Sequence, residues 1–223
     1  MKTLLAWSSG KDSAWALDVL RRQGVEVAAL LTTINESADR VAMHGVRRLL
    51  VEAQAQAVGV PLWAIPLPWP CTNQDYESRM AEACRRAVAE GFNAIAFGDL
   101  FLRDVREYRE RQLTGSGLEP LFPLWGQPTA ALARAMLSSG LRARVACIDT
   151  KALESAFAGR EFDSAFLHDL PPSVDPCGEN GEFHTFVYDG PGFREPIAIE
   201  SGETHNAGGF VYRDFLPCPV SSR

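Results

Sequence analysis

The strongest constraint on the fold is an alternation of short apolar runs with longer segments of helical periodicity along the N-terminal half of the chain. Four apolar runs have the length of buried strands: residues 3–7, 25–33, 60–65 and 93–97. Three intervening segments repeat apolar side chains every three or four positions, as helices do: residues 12–23, 46–57 and 76–88. Strands that alternate with helices indicate βαβ units with right-handed crossovers, and therefore a parallel sheet.

The pattern changes after residue 125. A short helix is predicted over residues 130–139, with Thr129 as its N-cap, and a strand over residues 142–148. The chain then becomes rich in Pro and Gly, with three short strand candidates: residues 183–188, 197–200 and 209–215. We therefore predict an α/β fold with two parts. A parallel sheet with helices on both faces spans residues 1–125, and a smaller α+β lobe spans residues 126–223.

Prolines interrupt the region after the third predicted strand. Pro66, Pro68 and Pro70 are expected to exclude regular structure there, because each lacks a backbone N–H and has a fixed φ.

Ligands of open α/β sheets bind beyond the carboxyl ends of the strands. Three segments follow predicted strands directly: residues 8–13, 32–35 and 98–103. We expect these segments to line one pocket.

The loop after the first predicted strand is a candidate phosphate site, with the sequence Ser8-Ser9-Gly10-Lys11-Asp12-Ser13. Backbone N–H groups and a helix N-terminus converge there, which favours anion binding. Lys11 adds a positive charge, and Asp12 suits either helix capping or a bound Mg²⁺. The loop is not a Walker A motif, because the first glycine is missing and Asp12 follows the lysine. The alternative is a plain strand–turn–helix junction.

A second polar block lies at residues 175–186 and places Glu179, Glu182 and His184 within six positions. An extended chain would put Glu182 and His184 on one face. Such side chains can bind an amine, orient ammonia or accept its proton. The alternative is a turn with solvated carboxylates and a surface histidine. A metal site formed with Cys177 is disfavoured, because the ligand spacing matches no zinc pattern.

Further nucleotide-binding candidates lie at or near predicted strand ends: Thr32, Thr33, His44, Gly98, Asp99 and Arg103. Asp99 suits a magnesium ion, a substrate group or a helix N-cap. Either Arg103 or Arg106 is expected to neutralise phosphate through forked contacts. His44 either faces the nucleotide or lies on the surface.

The phosphate loop resembles the S-G-G-K-D-S signature of the PP-loop ATP pyrophosphatases. It departs at Ser9, where the usual residue is glycine; serine fits if φ is negative and is strained if φ is positive. Residues 175–193 resemble the G-E-x-G-E-[FY]-x-T motif of the diphthine–ammonia ligase family, and residues 97–125 are similar to its middle segment. The resemblance covers essentially the whole chain, which looks like a short, bacterial-type member.

This resemblance implies a Rossmann-like fold of the HUP type and an amide ligase that consumes ATP with Mg²⁺. A carboxylate would be adenylated, pyrophosphate would leave, and ammonia or an amine would attack. The acid stays unidentified, either a small molecule or a protein side chain. The residues implied in catalysis are Lys11, Asp12, Glu179, Glu182 and His184. The metal ligands implied are Asp12 and Asp99.

Composition limits the other functions. The formal net charge of −6 speaks against a nucleic-acid partner. The 5 cysteines show no metal or redox spacing and are typical of reduced thiols. No signal peptide or membrane segment is evident, so we predict a cytoplasmic protein. A non-catalytic adenine-nucleotide sensor and a tRNA-modifying PP-loop enzyme remain as alternatives, and a homodimer is left open.

Overall fold

The computed structural model of the protein describes residues 1–218, so the end of the predicted second lobe lies outside the described residues. The first sheet contains β1 (Lys2–Ala6), β2 (Glu26–Asn35), β3 (Arg40–Val41), β4 (Leu62–Leu67), β5 (Ala94–Ala96) and β6 (Glu119–Leu121). The helices between these strands are α1 (Lys11–Arg22), α2 (Arg48–Val58), α3 (Asn73–Ala89) and α4 (Arg103–Leu113).

The remaining elements follow the first sheet along the chain. The helices are α5 (Thr129–Ser138) and α6 (Ser164–Asp169), with a 3-10 turn at Ser155–Phe157. The strands of a second sheet are β7 (Arg142–Asp149), β8 (Phe183–Asp189), β9 (Ile199–Ala207) and β10 (Phe210–Pro217). Within residues 1–218, no helix combines the length and the hydrophobicity that a membrane crossing requires.

The first sheet is parallel in the order β4–β2–β1–β5–β6, and β3 pairs antiparallel with the end of β2. From the central β1 the chain moves outward through β2 to β4, then returns to the other side at β5. Sheets of this kind bind ligands where the strand order reverses, which here is between β1 and β5. The predicted Rossmann-like α/β fold is confirmed.

The apolar run of β1 is continuous because the sheet is covered on both faces. Leu5 belongs to the core that includes residues of α1 and α2, whereas its neighbour Leu4 belongs to the core under α3. Both leucines are 0% exposed. The central strand is therefore fixed from both sides, and its C-terminal loop starts from a rigid base.

Two of the sequence expectations near prolines are wrong. Pro66 lies inside β4, opposite Ile34. Because β4 is at the edge of the sheet, the missing proline N–H costs no ladder bond. Thr129 is the first residue of α5, with Pro128 at the N-cap position. Its hydroxyl donates instead to Asp175 Oδ2 at 2.6 Å.

Several elements have no counterpart in the sequence prediction. The segment of α4 is almost entirely polar and buries only Leu113, so it has no apolar stripe to detect. The strand β6 has 3 residues, too few for a periodic signal. In the second sheet, β9 extends over residues 199–207 instead of 197–200 because it pairs antiparallel with β10 along its length.

The second sheet is antiparallel, in the order β8–β7–β10–β9, and its edge strand β8 lies against the phosphate loop. Val187 N–H donates to Ser9 O at 3.0 Å, and Lys11 N–H donates to Thr185 Oγ1 at 3.0 Å. Side chains from α1, α2 and both sheets share one apolar core. The loop is thus held between two sheets.

Gln54 of α2 is a polar side chain at the centre of this junction and is 0% exposed. Its Oε1 accepts a hydrogen bond from Trp7 Nε1 at 2.8 Å. Its Nε2 donates to Ser9 O at 3.0 Å and to Val187 O at 2.6 Å. One amide therefore links the central strand, the phosphate loop and β8.

Gln54→Leu should lower the free energy of unfolding by about 2–4 kcal/mol, because Trp7 Nε1–H and the Val187 carbonyl lose a buried partner. Urea unfolding followed by tryptophan fluorescence measures the change. Gln56→Leu is the matched control, since Gln56 is exposed on the same helix. Equal effects of the two substitutions would contradict the assigned role of Gln54.

Candidate active site

A cavity of about 300 Å³ lies beyond the carboxyl ends of β1, β2 and β5, which is within the size range of small-molecule sites. Five residues of the second polar block also line it: Gly178, Glu179, Phe183, His184 and Thr185. It brings together most of the residues that were predicted from the sequence: Ser8, Gly10, Lys11, Asp12, Ser13, Thr32, Thr33, His44, Gly98, Asp99, Glu179 and His184. The three predicted strand-end segments therefore meet at one place.

The floor of the cavity is the start of α1. Gly10 is the N-cap residue of this helix and has no side chain to cap it, and the first amide, Lys11 N–H, donates to Thr185 Oγ1. A Cβ at Gly98 would lie 3.1 Å from the carbonyl carbon of Asp12 and 3.2 Å from Ser13 N. A side chain there would therefore push β5 away from the first turn of α1. A helix N-terminus that begins at a glycine is suited to an anion.

The ammonium group of Lys11 is directed into the protein rather than toward open space. Lys11 is 1% exposed, and its Nζ donates to Asp12 Oδ2 at 2.9 Å and to the carbonyl oxygen of Cys177. Burial acts to lower the pKa of Lys11, but the nearby Asp12 carboxylate outweighs burial and raises it. Lys11 therefore keeps its charge beside the cavity and also ties the second polar block to the loop.

Ser9 adopts the conformation that the sequence left open. Its φ is 72°, in the left-handed region where a side chain is strained. The residue is 0% exposed, does not line the cavity, and its Oγ has no hydrogen-bond partner among the described residues. Only its backbone carbonyl has a role, as the acceptor for Gln54 and Val187.

Two histidines stack at the wall of the cavity. The ring centroids of His44 and His184 are 4.3 Å apart, with an interplanar angle of 33°. Burial, together with the positive charge of Lys11, lowers the pKa of His184 to about 4. Burial, His184 and Lys11 hold the pKa of His44 well below its usual range. Both rings are therefore neutral near pH 7 and can accept a hydrogen bond.

Glu179 connects the second polar block to the loop after β5. Its Oε1 accepts hydrogen bonds from Leu100 N at 2.7 Å and from Phe101 N at 3.3 Å. Burial, aided by repulsion from Asp12, raises the pKa of Glu179 to about 7, although the two amides act to lower it. Gly178 precedes it with a φ of 68°, and a Cβ there would lie 2.7 Å from Phe183 O.

Glu182 does not line the cavity, in contrast to the expectation that it shares a face with His184. Its carboxylate accepts hydrogen bonds from Asp175 N at 3.0 Å, Asn180 N at 3.0 Å and Asn180 Nδ2 at 2.9 Å. The two-residue alternation fails because β8 begins only at Phe183, after Glu182. Glu182 thus holds the shape of the turn that presents Glu179.

The arginine of the cavity is Arg109, which sequence reasoning missed. Arg103 is exposed at the first position of α4, and neither it nor Arg106 lines the cavity. Arg106 instead pairs with Glu110 at 2.7 Å. Arg109 Nε donates to Asp99 Oδ2 at 3.1 Å. Arg103, Arg106 and Arg109 are all visible in the sequence. Without knowledge of α4, it could not be said which of these arginines faces the cavity.

Apolar side chains also line the cavity: Tyr76 and Met80 of α3, together with Phe97 after β5. The spacing of Tyr76 and Met80 places them on one face of a helix. That spacing does not show that this face of the helix lines the cavity. Only the packing of α3 against the sheet brings them to the site.

Three buried polar atoms at the cavity have no hydrogen-bond partner among the described residues: Asp12 Oδ1, Thr32 Oγ1 and His44 Nδ1. Buried polar atoms are paired in most proteins, so a polar ligand fits here.

Within residues 1–218 no group of three or more His, Cys, Asp or Glu side chains is arranged to hold a metal. A magnesium ion held by one or two carboxylates and ligand phosphates needs no such group. Asp12 has a free oxygen for this role, whereas Asp99 is paired with Arg109.

The sequence matches two family models on either side of the link between the sheets. Residues 1–120 match the diphthamide synthase N-terminal domain, and residues 128–213 match the diphthamide synthase C-terminal domain. The chain belongs to the diphthamide synthase family.

Similar proteins carry a consistent name. The diphthine–ammonia ligase of Danio rerio is 28% identical, over 94% of this chain and 91% of its own length. That of Homo sapiens is 24% identical, over 95% of this chain and 88% of its own length. That of Schizosaccharomyces pombe is 26% identical, over 98% of this chain and 39% of its own length. The predicted family and the predicted class, a carbon–nitrogen ligase, are confirmed.

Ser9→Gly should raise the free energy of unfolding by about 0.5–1 kcal/mol, because glycine adopts a positive φ without strain and removes an unpartnered hydroxyl. Thermal unfolding measures the shift. Ser8→Gly is the matched control at the neighbouring position, where φ is not positive, and should not stabilise. A loss of stability in Ser9→Gly would show that the Ser9 side chain has a function that the structure does not reveal.

Stability should depend on the protonation of Glu179. Its folded-state pKa of about 7 lies above the ordinary pKa of 4.5, so the folded state holds the proton more tightly than the unfolded state between these values. Stability from this group is therefore present at low pH and is lost as pH rises from about 4.5 to 7. Glu179→Gln should lose less stability than the wild type over this range, measured by urea unfolding at several pH values. Parallel curves for the two proteins would contradict the raised pKa.

Proposed function

We propose that the protein is an ATP-dependent amide ligase that forms AMP and pyrophosphate. The main support is the cavity at the strand-order reversal, where the N-terminus of α1, the loop of residues 8–13 and three unpartnered polar atoms meet. Membership in the diphthamide synthase family, and the shared name of the relatives, support the ligase chemistry.

ATP would bind with its phosphates against the first turn of α1. The N–H groups of a helix N-terminus favour anions, and Gly10 has no side chain to block the approach. Mg²⁺ bound at Asp12 Oδ1 would neutralise phosphate charge. The apolar side chains of Tyr76, Met80 and Phe97 and the free hydroxyl of Thr32 offer a mixed surface for the nucleoside.

In the first step, a carboxylate oxygen of the substrate attacks the α-phosphorus and the bond to the β-phosphate breaks. Pyrophosphate leaves, and the acid becomes an acyl-adenylate. Negative charge that develops on the phosphates is stabilised by the helix N-terminus and by the fixed charge of Lys11. Because Lys11 is held by Asp12 and the Cys177 carbonyl, its charge is positioned before the reaction.

In the second step, ammonia or an amine attacks the acyl carbon and AMP leaves. The attacking nitrogen must lose a proton, and Glu179 lines the cavity as the acceptor, while His184 lines it as a hydrogen-bond acceptor that orients the nitrogen. His184 is neutral because its pKa is lowered to about 4, and Glu179 has a pKa raised to about 7. Glu182 supports the turn that carries Glu179 and does not take part directly.

The relatives are named for diphthine and ammonia. We therefore take ammonia or an amine as the nitrogen donor and a carboxylate as the acceptor, either a small molecule or a protein side chain. A non-catalytic nucleotide sensor would have no use for two neutral histidines and a glutamate of raised pKa beside the phosphate loop. The tRNA-modifying alternative finds no support in the net charge of −6.

Incubation with ATP, Mg²⁺, ammonium and candidate carboxylic acids should produce AMP and pyrophosphate, resolved by chromatography. Formation of ADP and phosphate would contradict the proposed bond cleavage. Tight ATP binding without turnover for any acid, peptide or cell extract would favour the sensor.

His184→Asn should lower kcat for amide formation by roughly 100-fold, because the ring that orients the attacking nitrogen is lost, and should change ATP affinity much less. Steady-state AMP formation and calorimetric ATP titration separate the two effects. His168→Asn, a substitution of an exposed histidine on α6, is the matched control and should resemble the wild type. Unchanged kcat in His184→Asn would remove this residue from the mechanism.

A further inference from the structure

His44 reaches the cavity from a short turn, residues 40–47, that lies between β2 and α2. Within the turn, Val41 N–H donates to Val46 O at 2.8 Å, and Gly45 N–H donates to Val41 O at 3.1 Å. Met43 has a positive φ of 66° and a side chain that is 72% exposed. His44 N–H also donates to Ala42 O at 2.8 Å, and Ala42 N–H donates to Thr33 O of β2 at 3.0 Å. The turn is thus attached to β2 at its start and has one strained residue, Met43.

Further support for the turn comes from Asp214 on β10 of the second sheet. Asp214 Oδ1 accepts from Arg40 Nη1 at 2.8 Å, and Asp214 Oδ2 accepts from Arg47 Nη2 at 2.6 Å. Arg47 Nε also contacts both carboxylate oxygens at 3.1 Å. A single carboxylate thus holds the first and the last residue of the turn.

The link extends to the residue after His44. Arg40 Nη1 donates to Gly45 O at 2.7 Å as well as to Asp214. On the same face of β10, the ring of Tyr212 lies against Gly45, where a Cβ would be 2.7 Å from Tyr212 Cδ1. Asp214 and Tyr212 are two positions apart, so both project toward the turn.

At the other side of the turn, His44 contacts the nucleotide cavity. Its ring stacks on His184, and a Cβ at Gly10 would lie 3.4 Å from His44 Cε1. The Nδ1 atom of His44 has no partner among the described residues. The position of His44 relative to the phosphate loop is therefore set by the turn that Asp214 holds.

Exposed ion pairs contribute little to stability, but Asp214 is buried and contacts two guanidinium groups, one of them through both oxygens. Burial acts to raise the pKa of Asp214, yet hydrogen bonds from Arg47 and Arg40 lower it to about 2. The carboxylate is therefore charged at any pH at which the protein would work.

We propose that Asp214 is a positioning residue through which the second sheet holds turn 40–47 and thereby places His44 against Gly10 and His184. It touches neither the cavity nor any predicted ligand. The effect of Asp214 on turnover rests on the proposed function, whereas its effect on the shape of turn 40–47 does not.

The experiment compares the wild type with Asp214→Asn, which keeps the shape of the side chain and removes its charge. Amide hydrogen exchange should become faster in residues 41–46 and stay unchanged in α1 and β5. The dissociation constant for ATP should rise roughly tenfold, as expected when a contact residue loses its fixed position. In the AMP-forming reaction, KM for ATP should rise more than kcat falls.

Arg213→Ala is the matched control. Arg213 lies next to Asp214 on β10 and donates to Thr204 Oγ1 on β9 at 2.8 Å, away from the turn. It should leave both exchange in residues 41–46 and ATP affinity unchanged. Asp214→Glu keeps the charge and should restore much of the turn protection.

The proposal would be overturned if residues 41–46 of Asp214→Asn exchanged their amide hydrogens at the wild-type rate and the variant bound ATP with wild-type affinity. If Asp214→Asn does not fold, Arg40→Ala carries the same test, because it removes the bonds to Asp214 and Gly45 O and keeps the Arg47–Asp214 pair. A wild-type protein that binds ATP without forming AMP would refute the proposed function and leave the exchange test intact.

Discussion

The structure depends on the contact between the free edge of β8 and the loop that follows β1. Val187 N–H and the Thr185 hydroxyl bond to the backbone of Ser9 and Lys11, and Gln54 bonds to both segments. An edge strand exposes backbone groups that need partners, and here the phosphate loop supplies them. The same contact holds the loop open toward the cavity. It also brings His184, which alternates along β8 with Thr185 and Val187, to the wall of the cavity.

This arrangement makes the site electrostatically unusual. Polar groups are removed from water before a ligand arrives, so the two histidines stay neutral and Glu179 holds its proton to about pH 7. Lys11 is compensated in place by Asp12, and Arg109 by Asp99. Glu179 titrates near the working pH, as is typical of groups that move protons, and a cavity with unpartnered polar atoms is prepared for a polar ligand.

Much of the fold and the site follows from local patterns. The strands of a sheet that is covered on both faces are short and apolar, and the segments that follow parallel strands must meet at one edge of the sheet. The loop at Gly10, the strand end at Thr32 and Gly98 could therefore be placed together from the sequence. The helix α4 could not be placed because its side chains are almost all polar, and Arg109 was lost with it. Glu182 was misplaced because alternation applies only inside a strand.

By itself, the sequence determined the parallel sheet, the family and the chemical types that surround the phosphate loop, because periodicity and motif spacing are local properties. The tertiary structure decided which of those groups face the cavity and in which state of charge. Lys11 turns inward to Cys177, Ser9 takes a positive φ, and Asp214 reaches the turn of His44 across the two sheets. Each of these three features depends on burial and on partners that are far away along the chain. Neither the burial nor the partners can be read from neighbouring residues.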